Sequence, residues 1–246
     1  MYYFASDVHL GAGGEQMARR TERRFVQWLD VVSKDAEGIF LVGDIFDFWF
    51  EYNNVVPKGF VRTLGKLAEL SDRGIKIALI TGNHDMWLTD YLEKECGIKT
   101  YFKPQRLSLY GKELFVAHGD NMNIKRKPIL RLMNAAFRSR IMRVLFSWLV
   151  HPDLALKFGK WWSGKSRKSH SMDQITPDSL NFLIDYAREY KASKPETDYT
   201  IFGHMHFPYD HHKQGLRVVF LGAWEGDAHY AVLDKQGDLT LKTFAL

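Results

Sequence analysis

Five short segments of the chain concentrate aspartate, asparagine and histidine, which are residues that ligate metal ions. The segments are Asp7-Val8-His9, Gly43-Asp44-Ile45-Phe46-Asp47, Gly82-Asn83-His84-Asp85, His118-Gly119-Asp120 and Gly203-His204-Met205-His206. Carboxylate oxygen, amide oxygen and imidazole nitrogen suit Mn²⁺, Fe or Zn²⁺. Seven such ligands hold two ions if one carboxylate bridges them. The five segments therefore predict a two-metal site.

The ligands have different expected roles. Asp7 and His9 are two positions apart at the end of an extended run, which puts both side chains on one side of the chain and lets them share one ion. Asp44 follows a glycine that permits a sharp turn, and its two oxygens could bridge ions about 3.5–4 Å apart. Asn83 offers an amide oxygen. Later segments add three imidazole nitrogens, from His118, His204 and His206.

Short apolar runs that predict buried strands precede the first three segments. These runs occupy positions 2–6, 39–42 and 75–80. Helical spacing of apolar residues predicts helices at 16–34 and at about 59–71. The separations of 37 residues between Asp7 and Asp44 and of 39 between Asp44 and Asn83 fit right-handed strand-helix-strand units. Because parallel α/β sheets bind ligands at the carboxyl ends of their strands, the three segments are expected to meet.

After position 97 the pattern changes to short alternating strands, which indicates a second sheet. Two of these runs, at 106–110 and 113–117, lead to His118. An amphipathic helix is predicted at 177–190, and a strand at 197–202 leads to Gly203. Three further strands are predicted near 217–221, 229–233 and 239–244. The chain is therefore predicted to have an α/β fold with two sheets.

Composition narrows the class of protein. A chain of 246 residues, 46% of them hydrophobic, is long enough for one α/β domain with an insertion. Cys96 is the single cysteine, which excludes an internal disulfide and a thiolate metal cluster and favours a reducing compartment. The first strand begins without a secretory leader, and the longest apolar stretch, 144–150, is far shorter than a membrane span of about 20 residues. A cytoplasmic protein is expected.

A basic segment at about 121–172 separates the fourth group of ligands from the fifth. It contains twelve lysines and arginines and one aspartate, a net charge of +11, which leaves −6 for the rest of a chain whose total is +5. Apolar residues at helical spacing alternate with the arginines. The segment predicts inserted helices that meet an anionic partner such as phosphate, nucleic acid or a membrane surface. A solvated basic helix face is the alternative.

The motif order Asp-x-His, Gly-Asp-x-x-Asp, Gly-Asn-His-Asp, His-Gly-Asp and Gly-His-x-His resembles that of the calcineurin-like metallophosphoesterases and covers Asp7 to His206. The resemblance implies a four-layer α/β/β/α sandwich of two mixed sheets over residues 1–246, with the segment 121–172 as a helical lid. It also implies a division of the ligands between two ions. Asp7, His9, Asp44 and His206 would hold one ion, and Asp44, Asn83, His118 and His204 the other.

The mechanism implied by this family is hydrolysis at phosphorus by a metal-bridging hydroxide. His84 would protonate the leaving oxygen or stabilise the transition state, with Asp85 orienting its ring. A structural histidine is the alternative for this residue. Asp47 and Asp120 would orient the histidine ligands. A further alternative for the whole chain, a non-catalytic interaction module, is expected to lose ligands, whereas all seven are present.

Within that superfamily the chain is most similar to the UDP-2,3-diacylglucosamine hydrolases of lipid A biosynthesis. The aromatic run 43–49, the chain length and the insertion carry the likeness, and the runs 82–87 and 90–93 resemble versions from Bacteroidetes-type bacteria. The best-known members have arginine where this chain has His84. The resemblance implies cleavage of the UDP pyrophosphate to lipid X and UMP, two Mn²⁺ ions with Fe or Zn²⁺ as alternatives, and peripheral association with the inner membrane.

The insertion bears on the substrate. Its apolar helices could hold acyl chains while Lys165, Arg167 and Lys168 contact phosphate, together with Asn83, His84 and His204 of the site. The alternative is that the apolar residues pack on the main domain. Those residues are Leu132, Phe137, Ile141, Leu145 and Trp148. With the lipid substrate no nucleic acid partner is expected. A rival reading is a phosphodiesterase or phosphatase that acts on nucleotides or nucleic acid and uses the basic segment as a polyanion groove.

Overall fold

The computed structural model describes residues 1–122, 132, 135, 139–169 and 176–245, apart from the side chains at 140, 160 and 165–169. Two β-sheets lie face to face in this part of the chain. In the first sheet the strand order is β11-β10-β1-β2-β3-β4. The strands are β1 (Tyr2–Ala5), β2 (Gly38–Leu41), β3 (Lys76–Ile80), β4 (Lys99–Tyr101), β10 (Ala228–Leu233) and β11 (Leu239–Phe244).

Strands β1 to β4 are parallel, β10 pairs antiparallel with β1, and β11 pairs antiparallel with β10 at the edge of the sheet. Helix α1 (Gly14–Val32) connects β1 to β2, and α2 (Val61–Asp72) connects β2 to β3. A short helix, α3 (Tyr91–Cys96), precedes β4. Because parallel neighbours point the same way, the carboxyl ends of β1, β2 and β3 lie side by side.

The second sheet has the order β5-β6-β7-β9-β8. Its strands are β5 (Gln105–Leu109), β6 (Lys112–Ala117), β7 (Thr197–Phe202), β8 (Pro208–Lys213) and β9 (Leu216–Leu221). Strands β6, β7 and β9 are parallel, whereas β5 and β8 pair antiparallel at the two edges. The parallel centre places the ends of β6 and β7, and so His118 and Gly203, at one edge of the sheet.

Alternating side chains on β1 show how the layers are built. Phe4 packs between the sheets with Val219 of β9, whereas Tyr3 faces outward to Trp28 of α1. The outer face of the second sheet packs on α6 (Asn181–Ser193), which follows a 3-10 turn at Pro177–Leu180. The layers run helix, sheet, sheet, helix, so the predicted α/β/β/α fold is confirmed.

The basic segment contributes two described helices, α4 (Arg140–Leu149) and α5 (Pro152–Ser169). Helix α4 contacts the main domain through Phe146, whose ring centroid is 5.1 Å from that of Phe50 and 5.0 Å from that of Trp87. The Tyr52 hydroxyl donates to the Val150 carbonyl at 2.8 Å. The placement of the whole segment 121–172 as an insertion stays a prediction, because 123–131, 133–134, 136–138 and 170–175 lie outside the described residues.

The predicted elements agree with the observed ones to within a few residues, and three elements were not predicted. These are α3, the three-residue strand β4, and β8, whose sequence Pro-Tyr-Asp-His-His-Lys lacks a regular apolar alternation. Strand β8 forms because it pairs with β9 over six residues at the sheet edge. In the described part of the chain, no helix combines the length and apolar character needed to cross a membrane.

Candidate metal centre

The five ligand segments meet at one edge of the two facing sheets. Each begins where a strand ends, namely β1, β2 and β3 of the first sheet and β6 and β7 of the second. Backbone hydrogen bonds of 3.0 Å join neighbouring segments, from Asp7 N to Gly43 O and from Gly203 N to His118 O. The ladders of the sheets therefore continue into the loops that carry the ligands.

Five of the seven predicted ligands have a left-handed backbone. Their φ angles are 52° at Asp7, 49° at His9, 53° at Asp44, 69° at His204 and 54° at His206. This conformation costs a residue other than glycine about 1–3 kcal/mol and persists only where the surroundings impose it. The turns after the strands thus hold the side chains in place at the expense of local strain.

Asp7, His9 and His206 form a first donor group, in which one ligand atom of each lies within 4.8 Å of the others. Nε2 of His9 is 3.0 Å from Nε2 of His206. The same His206 nitrogen is 3.3 Å from Oδ1 of Asp7, whose carboxylate is fully buried. Two imidazole nitrogens and a carboxylate oxygen that converge in this way fit a divalent cation.

A second donor group contains Asp44, His118 and His204. His118 Nε2 is 3.3 Å from Asp44 Oδ2 and 3.3 Å from Asn83 Oδ1. On the other side of its ring, His118 Nδ1 donates to the Val42 carbonyl at 2.9 Å. This hydrogen bond fixes the tautomer in which the Nε2 lone pair faces the donor group.

Asp44 lies between the two groups. It belongs to one group with His118 and His204 and to another with His9 and His84. One of its oxygens, Oδ1, accepts the backbone N–H of His84 at 2.9 Å, and the carboxylate is almost wholly buried. Its position between the histidines of both groups is the one that a bridging carboxylate requires.

Electrostatics within the site pair the carboxylates with the histidines. Burial opposes ionisation of Asp44, but the charges of His118, His84 and His9 and the hydrogen bond with His118 together outweigh it and hold the pKa of Asp44 well below its usual value. Burial alone would lower the pKa of His118, yet the charge and hydrogen bond of Asp44 and the charges of Asp7 and Asp120 together raise it well above normal. The pKa of His9 falls to about 3 through burial. Cations bound here would replace the protons that these histidines share with the carboxylates.

His84 lies against both groups, with its ring centroid 4.8 Å from that of His9. Nδ1 of His84 donates to the backbone carbonyl of Asp47 at 2.8 Å. This leaves Nε2 on the side of the donor groups, 3.8 Å from Asp44 Oδ2. His84 is therefore oriented into the site rather than into the core.

The expectation that Asp85 orients the ring of His84 is wrong. Both Asp85 oxygens accept backbone N–H groups, from Gly82 at 2.7 Å and from Ile45 at 3.0 Å. Burial and then the Asp44 charge raise the pKa of Asp85 to about 6. Asp85 therefore ties the loop after β3 to the loop after β2, and the Asp47 backbone carbonyl holds the His84 ring.

The carboxylate of Asp47 lies behind His9, with Oδ1 3.6 Å from His9 Nδ1. The same oxygen accepts the hydroxyl of Ser163 from α5. Asp120 lines the cavity beside His118. Burial lowers the pKa of that histidine, and the charge of Asp120 adds to the larger effects of Asp44 and Asp7, which raise it. The role of Ser163 was not predicted, because no local pattern links a serine in the basic segment to a carboxylate 116 positions earlier.

A cavity of about 520 Å³ opens beside His118. Arg143 from α4 lines it and donates to the Leu88 carbonyl at 3.4 Å. Apolar side chains and Lys103 form other parts of the wall. The apolar lining residues are Ile80, Met86, Trp87, Phe102, Pro104 and Met122. The cavity therefore brings cations and apolar surface next to the donor groups.

The predicted phosphate contacts Lys165, Arg167 and Lys168 belong to α5, and their side chains lie outside the description. Of the five apolar residues named for the insertion, four are exposed: Leu132, Ile141, Leu145 and Trp148. Phe137 lies outside the described residues. Leu132, Ile141 and Trp148 are more than 70% exposed, which contradicts close packing on the main domain for these three, whereas Leu145 is half exposed.

Three glycines allow the ligand loops to approach one another. A Cβ at Gly43 would lie 2.5 Å from His118 Nδ1, and one at Gly203 would lie 2.7 Å from Asp7 Oδ2. At Gly82 a Cβ would lie 2.8 Å from Asp44 N and overlap the Asp44 carboxylate. Glycine is required at these positions because a side chain would occupy the space of a ligand.

Comparisons with known proteins agree with this geometry. The calcineurin-like phosphoesterase family model matches residues 2–208. A UDP-2,3-diacylglucosamine hydrolase of Porphyromonas gingivalis is 40% identical over 245 residues, covering 94% of this chain and 93% of that protein. A UDP-2,3-diacylglucosamine hydrolase of Edwardsiella ictaluri is 28% identical, with 95% and 88% covered. The solved structure of a novel archaeal phosphodiesterase has the same fold, with a TM-score of 0.50, 12% identity and 99% coverage of both chains.

Gly82→Ala is expected to weaken Mn²⁺ binding at least about tenfold, the loss typical when a ligand's support is disturbed. The added methyl group would displace Asp44. Gly82 does not have a positive φ, so alanine can adopt its backbone conformation and the variant should fold. Binding is followed by the electron paramagnetic resonance signal of free Mn²⁺. The matched control is Gly65→Ala on α2, where a Cβ meets nothing within 4 Å. Equal affinity in the two variants would contradict the close approach.

Proposed function

The chain belongs to the calcineurin-like phosphoesterase family, and we propose that it hydrolyses the pyrophosphate of UDP-2,3-diacylglucosamine to lipid X and UMP. The observation that carries the proposal is the convergence of the seven donors, in a chain 40% identical over almost its whole length to a hydrolase of that substrate. A nucleotide-sugar lipid has the charged phosphates and the apolar chains that the surroundings of the site could accept.

The proposed ligand sets follow the observed donor groups. One divalent cation would be held by Asp7, His9, Asp44 and His206. The second cation would share Asp44 with the first, and its other ligands would be Asn83, His118 and His204. Two cations bound there would supply Lewis acidity to water and to the phosphate oxygens. Mn²⁺ is the proposed metal, with Fe and Zn²⁺ as alternatives, because oxygen and imidazole donors suit all three.

His84 is the proposed proton donor to the leaving phosphate oxygen. Its Nδ1–H is committed to the Asp47 carbonyl, so Nε2, on the side of the donor groups, is the ring nitrogen that would carry the proton to be transferred. When the bond to phosphorus breaks, the Nε2 proton passes to the leaving oxygen and the ring returns to its neutral form. The hydrogen bond from the His84 backbone N–H to Asp44 Oδ1 keeps the ring at a fixed distance from the ligands.

The substrate would lie in the cavity beside His118. Arg143 and Lys103 line it together with apolar side chains, which matches a ligand that carries phosphate and acyl groups. Lys165, Arg167 and Lys168, two to five residues beyond Ser163 on α5, stay predicted phosphate contacts, as do Asn83 and His204 within the site.

The exposed apolar side chains of α4 and α5 support a membrane location. Trp148 and Leu149 are 82% and 80% exposed, and the segment that carries them has a net charge of +11. Other exposed members of this surface are Ile141, Met142, Leu145, Leu154, Phe158 and Trp161. Aromatic and apolar side chains beside basic ones bind anionic membrane surfaces. We propose peripheral attachment to the cytoplasmic face of the inner membrane.

The central test is hydrolysis by the Mn²⁺-loaded protein. UDP-2,3-diacylglucosamine should yield UMP, whereas a simple phosphodiester and single-stranded nucleic acid should not turn over at comparable rates. Asp44→Ala should abolish the reaction because both donor groups lose a ligand. Asp72→Ala, at an exposed position at the end of α2, is the control and should retain full activity. Turnover confined to the phosphodiester or nucleic acid would refute the lipid substrate, and no turnover by metal-bound protein would favour an interaction module.

The role of His84 predicts a separation of metal binding from turnover. His84→Ala should bind Mn²⁺ with unchanged stoichiometry and lower kcat by about 10²–10⁴, the usual range for general acid–base catalysis. Stoichiometry is read by titration and kcat by UMP release. His212→Ala on β8, an exposed histidine, is the control. A His84→Ala variant with near-normal kcat would remove its catalytic role.

Replacing the apolar tips of the insertion should detach the protein from membranes. Trp148→Ser combined with Leu149→Ser is expected to lower sedimentation with vesicles of phosphatidylethanolamine and phosphatidylglycerol at least about tenfold, because burial of a large apolar side chain contributes about 1.5–3 kcal/mol. Val31→Ser on α1, also an exposed apolar position, is the control. Unchanged sedimentation of the double variant would show that this surface does not meet the membrane.

A further inference from the structure

We propose that Ser163 is a positioning residue for the metal ligand His9 and acts through Asp47. Through this contact, the position of helix α5 on the main domain sets the affinity of the site beside His9 for its cation. The proposal deepens the proposed function and rests on its metal centre. It concerns a serine that lies outside all five ligand segments.

Helix α5 approaches the ligand loop after β2 through small residues. Ala155, Gly159 and Ser163 are spaced by four positions and so lie on one face of the helix, and all three are buried. A Cβ at Gly159 would overlap the ring of Phe48. The small side chains allow the helix to lie directly on the loop that carries Asp44 and Asp47.

This close seating buries a polar contact. Ser163 is 1% exposed, and its hydroxyl donates to Asp47 Oδ1. The same Asp47 oxygen is 3.6 Å from Nδ1 of His9. The Ser163 hydroxyl and the His9 imidazole therefore both face the same carboxylate oxygen, and the position of that oxygen depends on where α5 lies.

His9 needs an acceptor on this side of its ring. Its Nε2 faces the donor group, 3.0 Å from His206 Nε2. Its Nδ1 is buried and, within the described residues, makes no hydrogen bond. A histidine ligates metal through one nitrogen when the other carries the proton, and a carboxylate that accepts this proton makes the ring a stronger ligand. Asp47 Oδ1 is the oxygen that stands closest to that role, and Ser163 holds it there.

The arrangement has a thermodynamic consequence. If the Ser163 hydroxyl favours the Asp47 position that supports His9, then cation binding must favour the seated α5 by the same factor. Helix α5 would then be held on the main domain more firmly when the cations are bound. Substrate binding and metal binding would share one hydrogen bond.

The test is a Mn²⁺ titration of the full chain, with free Mn²⁺ read by electron paramagnetic resonance. Ser163→Ala should weaken one of two binding steps about tenfold, at the lower end of the losses seen when such supports are removed. Ser147→Ala is the matched control, since that hydroxyl bonds only within α4, to the Val144 carbonyl at 2.8 Å. Circular dichroism of the metal-free variants monitors folding.

A double-mutant cycle separates this role from a merely structural one. Asp47→Ala should also weaken the step, and Ser163→Ala should have no further effect in the Asp47→Ala background, because its action passes through Asp47. Wild-type affinity in either single variant, or an equal loss from Ser163→Ala in both backgrounds, would overturn the proposal. Hydrolysis is assayed separately: a wild type that binds two Mn²⁺ and does not cleave UDP-2,3-diacylglucosamine refutes the proposed substrate, while the titrations still decide the role of Ser163.

Discussion

The buried carboxylate of Asp44 is the interaction on which the rest of the structure depends. A carboxylate without water around it is costly unless positive or hydrogen-bonding groups surround it. Here the His84 backbone N–H and the His118 ring supply part of that environment, and the Asp85 carboxylate ties together the two loops that flank it. The parallel strands of two sheets end around this one side chain, because only their carboxyl ends bring enough donors to it.

Much of the fold and of the donor set was predictable from local patterns. The separation between Asp7, Asp44 and Asn83 encodes two strand-helix-strand units, and each ligand directly follows an apolar run. What sequence did not show is where a carboxylate points after a turn. Asp85 follows His84 directly, yet its oxygens face backbone N–H groups on the opposite side. The Ser163 contact with Asp47 spans 116 positions and depends on how two elements pack, which local periodicity does not specify.

The basic segment connects chemistry and recognition. Helix α4 brings Arg143 to the cavity beside His118, and α5 brings Ser163 to the carboxylate behind His9. Their other faces expose tryptophan and leucine. One pair of helices therefore contacts the site on one side and presents an apolar surface on the other. A nucleotide-sugar lipid is a substrate that makes use of both sides, since its reacting phosphorus lies in the pyrophosphate and its acyl chains extend from the sugar.

The backbone bonds between ligand segments have a consequence for metal supply. Asp7 N to Gly43 O and Gly203 N to His118 O are ordinary sheet contacts, and the strands behind them are held by apolar layers that contain no ligand. The scaffold does not owe its shape to the ions, in contrast to a zinc finger, which unfolds without its metal. Ions bound at the donor groups could then exchange on a folded protein, because their release would leave in place the sheets that position the ligands.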